Sequence, residues 1–514
     1  LYIICSEILN IHIRSDVNVK GINIMDKDIV LSAYADDTTL YLKDADSLSS
    51  VLNILKSFQL YSGLKINLDK SELIPLGVYV NNPPDISGTD LVYTHDPVRL
   101  LGVTISSNPG EFFKLNYLPK LTKLKEILRI WSLRDLSPIG KITIVKSLGI
   151  SQLVFLFSVL PKPPDDFIKE LDSVIFKFIL SGKPNKINRK TITGDYLNGG
   201  LKMMHIPSLI KGLKIAWVKR LLDGNNNGNW KYFYSHYMCN VGGNLLWKCN
   251  VNPNDNCVKG LKNVFISEVI NAWCSITYDD NPTTPCDHII WNNSLIRIEH
   301  KSIYKQSWHE KGILHISDLL DDNFNYLSFE TFKTKYSLRC HFLDYYSLIH
   351  AIPLTVKRSV QRGESIASTQ ADMLNQLISC NKVCKMVHGL CVDKLFTTPK
   401  AEVRWATLFS DMNLNWNEIY RIPMLSSHLT KLRYFQFRIL HRIIGTNDYL
   451  FKIGYINSNL CCFCNKECED IPHLFWSCKI TTQFWMDVQR ILFKKHFTLT
   501  LKDVILGILD FENQ

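Results

Sequence analysis

Two groups of side chains in this sequence have the types and spacing to hold metal ions. Tyr34-Ala35-Asp36-Asp37 sets adjacent carboxylates between two β-prone runs, Ile29 to Tyr34 and Thr38 to Leu42. Hard carboxylate oxygens on a rigid turn can bind two Mg²⁺ ions, which stabilise the attacking and leaving oxygens of an in-line phosphoryl displacement. Aspartate pairs are also ordinary solvated turn residues, so the pair alone leaves both readings open. Near the C-terminus, Cys461, Cys464, His473 and Cys478 form C-x2-C-x8-H-x4-C. Three thiolates and one imidazole are the donors a tetrahedral structural Zn²⁺ prefers, and the close C-x2-C pair lets one turn supply two of them. Cys462 and Cys468 are spare thiols that compete as ligands, and buried free cysteines are the alternative to a metal.

A second set, Cys380, Cys384, His388 and Cys391, recurs at intervals that put all four on one helical face, which Met373 and Leu377 extend. An amphipathic core stripe explains that pattern, because one straight helix cannot wrap four ligands around an ion. The chain has 15 cysteines in all, an odd number and mostly without regular spacing outside the C-terminal cluster. That distribution argues against a disulfide framework and for a reducing, intracellular compartment.

The elements that must carry these residues can be read from periodicity. The two β-prone runs around Ala35-Asp36-Asp37 predict a tight hairpin. Asp46 or Ser47 is the expected cap of a helix whose apolar positions are Leu48, Val51, Leu52, Leu55 and Phe58, with Gly63 at its C-terminal turn. Short extended pieces follow around Leu73 to Val80 and Arg99 to Ile105. From Lys114 the pattern is mainly helical. Leu121, Leu124, Leu128 and Trp131 make an apolar stripe, with Lys120, Lys123 and Arg129 elsewhere on the same helix, and Ser137-Pro138 starts another. Breaks rich in Asn, Asp, Gly and Pro lie at Asp223 to Asn229, Asn250 to Asn256 and Asp279 to Asp287.

Length and charge bound the rest. At 514 residues, 46% hydrophobic and 21% charged, the chain can bury several cores, which excludes a disordered or collagen-like protein. The longest apolar stretch, Leu148 to Leu160, is interrupted by Ser151, Gln152 and Ser158, and no membrane span or membrane partner is expected. The opening Leu1-Tyr2-Ile3-Ile4-Cys5 has neither Met nor a signal peptide, and the chain is expected to be part of something longer. Of the formal charge of +11, residues 114 to 222 hold 20 Lys and Arg against 7 Asp and Glu. The excess is therefore confined to one segment, the footprint of a surface that neutralises phosphates and releases their counterions, or else of a solvated basic face.

Several stretches together resemble one family. Ala33-Tyr34-Ala35-Asp36-Asp37-Thr38-Thr39-Leu40-Tyr41-Leu42, then Ser62-Gly63-Leu64-Lys65-Ile66-Asn67-Leu68-Asp69-Lys70-Ser71-Glu72, then Arg99-Leu100-Leu101-Gly102-Val103 resemble motifs C, D and E of the palm of LINE-type (non-LTR) retrotransposon reverse transcriptases. The resemblance continues through Trp131 to Lys141, Gly199-Gly200-Leu201-Lys202-Met203, Ile290-Trp291-Asn292-Asn293, Trp308, Gly312-Ile313 and Lys431 to His441. It implies that Asp36 is a principal Mg²⁺ ligand with Asp37 beside it, and that Tyr34 packs near the primer terminus. It further implies that Lys70, or else Lys65, is a motif D general acid, and that Leu101 and Gly102 belong to the primer grip. For Lys70 a plain surface lysine is the alternative. Lys120, Lys123, Arg129, Lys141 and Lys146 would grip nucleic acid from a basic thumb, and Arg433 and Arg438 would do so beside the zinc knuckle.

The expected fold is α+β. It comprises a partial palm over 1–106, a basic helical thumb and post-thumb region over 107–224, a mostly helical linker over 225–400, and a helical segment with a zinc knuckle over 401–514. The implied partners are an RNA template, a DNA primer or target and dNTPs, acting in nucleus or cytoplasm by target-primed synthesis. The acidic residues before the hairpin, Glu7, Asp16, Asp26 and Asp28, lack the context of the family's motif A aspartate. The chain alone is therefore expected not to polymerise. The alternative is a non-catalytic nucleic-acid-binding protein using thumb and knuckle.

Overall fold

A computed structural model of the chain describes residues 2–86, 89, 91–184, 186–279, 289–362, 369–410, 413–492 and 498–507. Helices and small two-stranded antiparallel hairpins make it a mixed α and β protein, as expected. The chain divides into two compact units built from separated stretches. The first is Leu1–Pro119, Leu156–Pro163 and Lys211–Cys384, and the second is Lys120–Phe155, Pro164–Ile210 and Lys385–Gln514.

In the first unit, helix α1 (Tyr2–Ser15) precedes two hairpins, β1 (Ile22–Ile24) with β2 (Lys27–Ile29) and β3 (Leu31–Tyr34) with β4 (Asp37–Leu40). Helix α2 (Ala45–Ser62) follows, and Ile13, Val19, Val30, Leu31, Val51 and Ile54 form the core these elements share. The β3–β4 register pairs Tyr34 with Asp37, so the turn is Ala35-Asp36 alone and Asp37 belongs to a strand. Ala35 takes φ 54°, the left-handed conformation that a two-residue hairpin turn requires at its first position. The cap of α2 is Asp44 rather than Asp46 or Ser47. Its carboxylate accepts the Ser47 N–H at 2.9 Å, and Ser47 is fully buried with its hydroxyl accepting Lys20 N–H at 3.0 Å. Gly63 ends α2 in the left-handed conformation, as its position suggested. Around 98–105 the expected extended piece is a hairpin, β5 (Val98–Leu100) with β6 (Val103–Ile105), turning at Leu101-Gly102.

The remainder of this unit has an aromatic core. Trp247 and Trp273 are wholly buried and meet edge to face, and Trp273 Nε1 donates to the Trp247 carbonyl at 3.1 Å. The stretches around Trp291, Trp308 and Gly312 prove to be one another's packing partners. Trp291 Nε1 donates to Ile313 O at 2.7 Å, its ring lies 6.3 Å from that of Trp308, and Gly312 takes φ 84° in the turn between them. Those residues therefore build a core. The break at 223–229 separates the helices Ile206–Leu222 and Trp230–Met238 as expected, whereas the one at 279–287 lies almost entirely outside the described residues.

In the second unit, the C-terminal part of helix α3 (Phe112–Ser132) buries Leu121, Leu124 and Leu128, with Trp131 half-buried, so the predicted stripe is an inward face. Helix α4 (Pro138–Ile144) starts as predicted, with the Ser137 hydroxyl accepting Gly140 N–H. It runs through a π-helical turn, Val145–Ile150, into α5 (Ser151–Val159). The continuous helix Pro138–Val159 has 22 residues and contains an 18-residue window of mean hydropathy 1.8, long and apolar enough to cross a membrane. This corrects the expectation that no such segment exists, which considered only the shorter run from Leu148. Ile139, Ile142, Val145 and Ile150 are nonetheless buried within protein, although only 39% of that window is. Helix α6 (Asp165–Ile179) adds Phe167, Leu171, Ile175 and Phe176 to the interior.

Two stretches singled out in the sequence meet in this unit. Gly200 has no room for a side chain, because a Cβ there would lie 2.1 Å from Gly194 O. Gly199, at φ 70°, offers its bare Cα to the ring of Tyr420 and its carbonyl to His441 Nε2, which donates at 2.8 Å. The Gly-Gly pair and the helix Thr430–Leu440, which His441 follows, are thus two sides of one packed joint.

Candidate metal centre and nucleic-acid surface

Cys461, Cys464, His473 and Cys478 converge so that one donor atom from each lies within 4.8 Å of all the others. The local chain explains how. Asn465, at φ 53°, donates its N–H to Cys461 O at 2.8 Å, closing the C-x2-C loop. Cys461 N–H in turn donates to Glu467 O at 2.8 Å, and Leu460 bridges to Cys468. Asp470 Oδ1 accepts the His473 N–H at 2.7 Å, and the π-helical turn His473–Ser477 brings Cys478 back so that its N–H reaches His473 O at 2.9 Å. Cys461, His473 and Cys478 are buried.

The donor set fits Zn²⁺. Cys461 Sγ stands 3.9 Å from Cys478 Sγ and Cys464 Sγ 3.5 Å from His473 Nε2, close to the edge lengths of a zinc tetrahedron. The backbone N–H groups of Lys466 and Glu467 hold the Cys464 thiol down at about 6, so a thiolate stands ready at neutral pH. Burial pushes the Cys461 thiol up, and a metal would have to displace that proton. The spare thiols are turned elsewhere. The Glu469 carboxylate raises the Cys462 thiol to about 11, and Cys468 Sγ donates to Asp448 Oδ1 at 3.4 Å.

Sequence reasoning missed two carboxylates here. Glu469 is only 4% exposed, and its oxygens accept Cys462 N–H at 2.8 Å and Asn447 N–H at 2.9 Å, tying the knuckle to the short helix Asn447–Lys452. Glu467 Oε2 lies 3.1 Å from His473 Nδ1. The available signal was an alternation of acidic and cysteine residues at 467–470. Of the aromatic residues around the module, Phe463 and Phe484 are exposed, whereas Phe475 packs into the core of Trp405, Ile419, Tyr420 and Leu440, and its carbonyl receives Trp485 Nε1 at 2.7 Å.

The second cysteine set does not lie on one helix. The helices Thr369–Ser379 and Val383–Leu395 are interrupted at Cys380, whose carbonyl accepts Lys219 Nζ at 2.7 Å. His388 Nε2 accepts the His205 N–H at 3.2 Å, and these residues form no metal-holding group among the described ones. The shared-face expectation fails because a turn intervenes.

At the hairpin, Tyr34, Asp36 and Asp37 are exposed, Asp36 on the turn and Asp37 at the first position of β4. Among the described residues no third metal-binding side chain joins the pair, and two carboxylates do not by themselves make up a two-metal site. Lys70 ends an exposed 3-10 turn, Leu68–Lys70, and Lys65 is likewise exposed. Leu101 and Gly102 are exposed at the β5–β6 turn with φ 47° and 88°.

The basic residues separate by surroundings. Lys123 and Arg129 are exposed, and Lys120 is partly so. Lys141 is buried, its ammonium donating to Phe178 O at 3.1 Å and Ser181 Oγ at 2.6 Å, and desolvation lowers its proton affinity. It is an internal strut rather than a phosphate contact, a correction that follows from its place on the inward face of α4. Lys146 is half-buried, and desolvation depresses it as well. Arg433 donates Nε–H to Ser427 O, and Arg438 is partly exposed.

Residues 402–485 match the family described as zinc-binding in reverse transcriptase, and residues 3–105 match the family described as reverse transcriptase (RNA-dependent DNA polymerase). The first stretch holds all four zinc donors, and the second holds the carboxylate hairpin, Lys70, Leu101 and Gly102. The two matches support a reverse transcriptase as the class of protein this chain resembles. Template nucleic acid and dNTPs are the partners of that class in general.

Proposed function

We propose that the chain is part of a LINE-type retrotransposon reverse transcriptase, an RNA-directed DNA polymerase that copies element RNA at a nicked DNA target. The observation that carries this reading is the pairing of a reverse-transcriptase match at one end with an assembled Cys₃His donor set inside a zinc-binding match at the other. Segments 1–106, 107–224, 225–400 and 401–514 serve in this reading as palm, thumb, linker and knuckle-bearing tail. Asp36 and Asp37 are the Mg²⁺-binding pair, Tyr34, Leu101 and Gly102 lie along the primer, and Lys70 or Lys65 is the motif D lysine. Lys120, Lys123, Arg129, Lys146, Arg433 and Arg438 contact phosphates, and the protein works in nucleus or cytoplasm.

The chain by itself performs no catalytic step in this reading, because among the described residues no third metal-binding side chain joins the two exposed carboxylates. It is proposed to bind template-primer without extending it. Primer extension on an RNA template with Mg²⁺ and dNTPs tests this, and incorporation above background would reverse that part. The same exposed pair favours the second reading, a nucleic-acid-binding protein without polymerase activity. Fusing a segment that carries a motif A aspartate in front of residue 1 separates the two: synthesis by the fusion that Asp36→Ala abolishes supports the polymerase.

A further inference from the structure

Glu467 touches three of the four zinc donors. Its carbonyl accepts Cys461 N–H at 2.8 Å, its own N–H helps hold the Cys464 thiol down, and its carboxylate Oε2 lies 3.1 Å from His473 Nδ1. The first two contacts are backbone and do not depend on the side chain. The third depends on the side chain, which is 69% exposed, while the imidazole it reaches is 6% exposed. The geometry of the ring gives that contact a consequence. His473 Nε2 faces Cys464 Sγ at 3.5 Å, so Nε2 is the nitrogen turned toward the donor cluster and must carry a lone pair to bind a metal. The single proton of a neutral imidazole then sits on Nδ1, where it needs an acceptor.

Among the described residues two groups face Nδ1, the Glu467 carboxylate and the Ser477 hydroxyl at 3.4 Å. A hydroxyl donating to Nδ1 would leave the proton on Nε2 and block the metal. A carboxylate can only accept, which selects the binding tautomer. We infer that Glu467 is a positioning residue for the zinc centre, holding His473 by an Nδ1–H to carboxylate hydrogen bond with Nε2 free to ligate. Partners of this kind typically contribute 10-fold to 100-fold to metal affinity. The inference rests on the zinc reading, and its test keeps the two apart.

The test titrates Zn²⁺ into the full chain against a chromophoric chelator, alongside the Co²⁺ d–d spectrum at saturation. Glu467→Ala is expected to weaken Zn²⁺ binding about 10-fold or more and to shift the Co²⁺ spectrum toward that of His473→Ala. Glu467→Gln keeps an acceptor without the charge and is expected to recover a substantial part of the loss together with the parent spectrum. Ser477→Ala is expected to stay within about twofold, well short of that typical contribution. Binding by Glu467→Ala within twofold of the parent overturns the inference. So does a Gln variant as weak as the Ala variant, which would show charge acting at a distance, or a loss carried by Ser477→Ala instead. Should Glu467→Ala not fold, the comparison of the Gln variant with the parent decides. A parent chain that takes up no Zn²⁺ overturns the zinc reading and this one with it.

Discussion

Gly200 and Lys141 show how the same sequence symbol can mean different things once its neighbours are known. A methyl group at Gly200 would meet the Gly194 carbonyl at 2.1 Å, and backbone cannot swing aside as a side chain can. Gly200→Ala should therefore cost about 2 kcal/mol or more, seen as a lower urea midpoint. Gly182→Ala, at φ 72° with nothing within 4 Å, should cost only about 1 kcal/mol, that of a left-handed alanine. For Lys141, replacement by Met removes the ammonium from Ser181 Oγ and from the Phe178 carbonyl, which keeps only the Ser181 N–H at 3.2 Å. A stability loss of about 1–3 kcal/mol is expected, with no change in affinity for nucleic acid. The glycine pair was visible as a motif, but its reason was not, because Gly194 and Gly200 meet only when the intervening turn closes.

The knuckle and the joint beneath it respond to conditions as elements. The helix Lys479–Leu492 begins on Cys478, whose carbonyl accepts both Thr481 Oγ1–H and Thr482 N–H, so the metal centre and the helix start share a residue. Chelating the zinc should raise amide exchange across 459–482 while α6 keeps its protection, measured by hydrogen-exchange mass spectrometry. His441, stacked on Tyr420 and donating to Gly199 O, is held neutral by burial, which lowers it to about 4. An unfolded histidine takes up its proton near 6.5, so below that pH the unfolded state binds more protons than the folded one. The stability from keeping this ring neutral is complete above pH 6.5 and is lost as pH falls toward 4. The slope is about 1.4 kcal/mol per pH unit. Urea melts of the parent minus those of His441→Phe should show that slope, and its absence would mean the ring is accessible to protons. Hairpin, helix start and ligand spacing were all readable locally. The cap of α2 and the exact turn at Ala35-Asp36 were not, since Ser47 burial and strand register are decided by partners distant in the chain.

Across the molecule, the basic excess in 114–222 is a mixture of inward struts and outward charges, and only the outward ones can release counterions. If Lys123 and Arg129 each contact one phosphate, replacing both with Gln should flatten the plot of log K against log salt by about 2. Lys141→Met should leave the slope unchanged. A parent slope near zero would remove the nucleic-acid role of this surface.

Residue type and spacing alone marked out a Cys/His metal cluster with Cys462 and Cys468 as competing thiols, the carboxylate turn and the helical character of the basic segment, because chelation, tight turns and amphipathic helices are governed by contacts within a few residues. Tertiary structure decided which lysines face water, why two glycines adjoin, and which glutamate holds the histidine. It also split the four-residue Cys/His face at Cys380. Each of those outcomes depends on atoms brought together from separate stretches, whose burial and hydrogen-bond partners exist only after the chain has closed on itself.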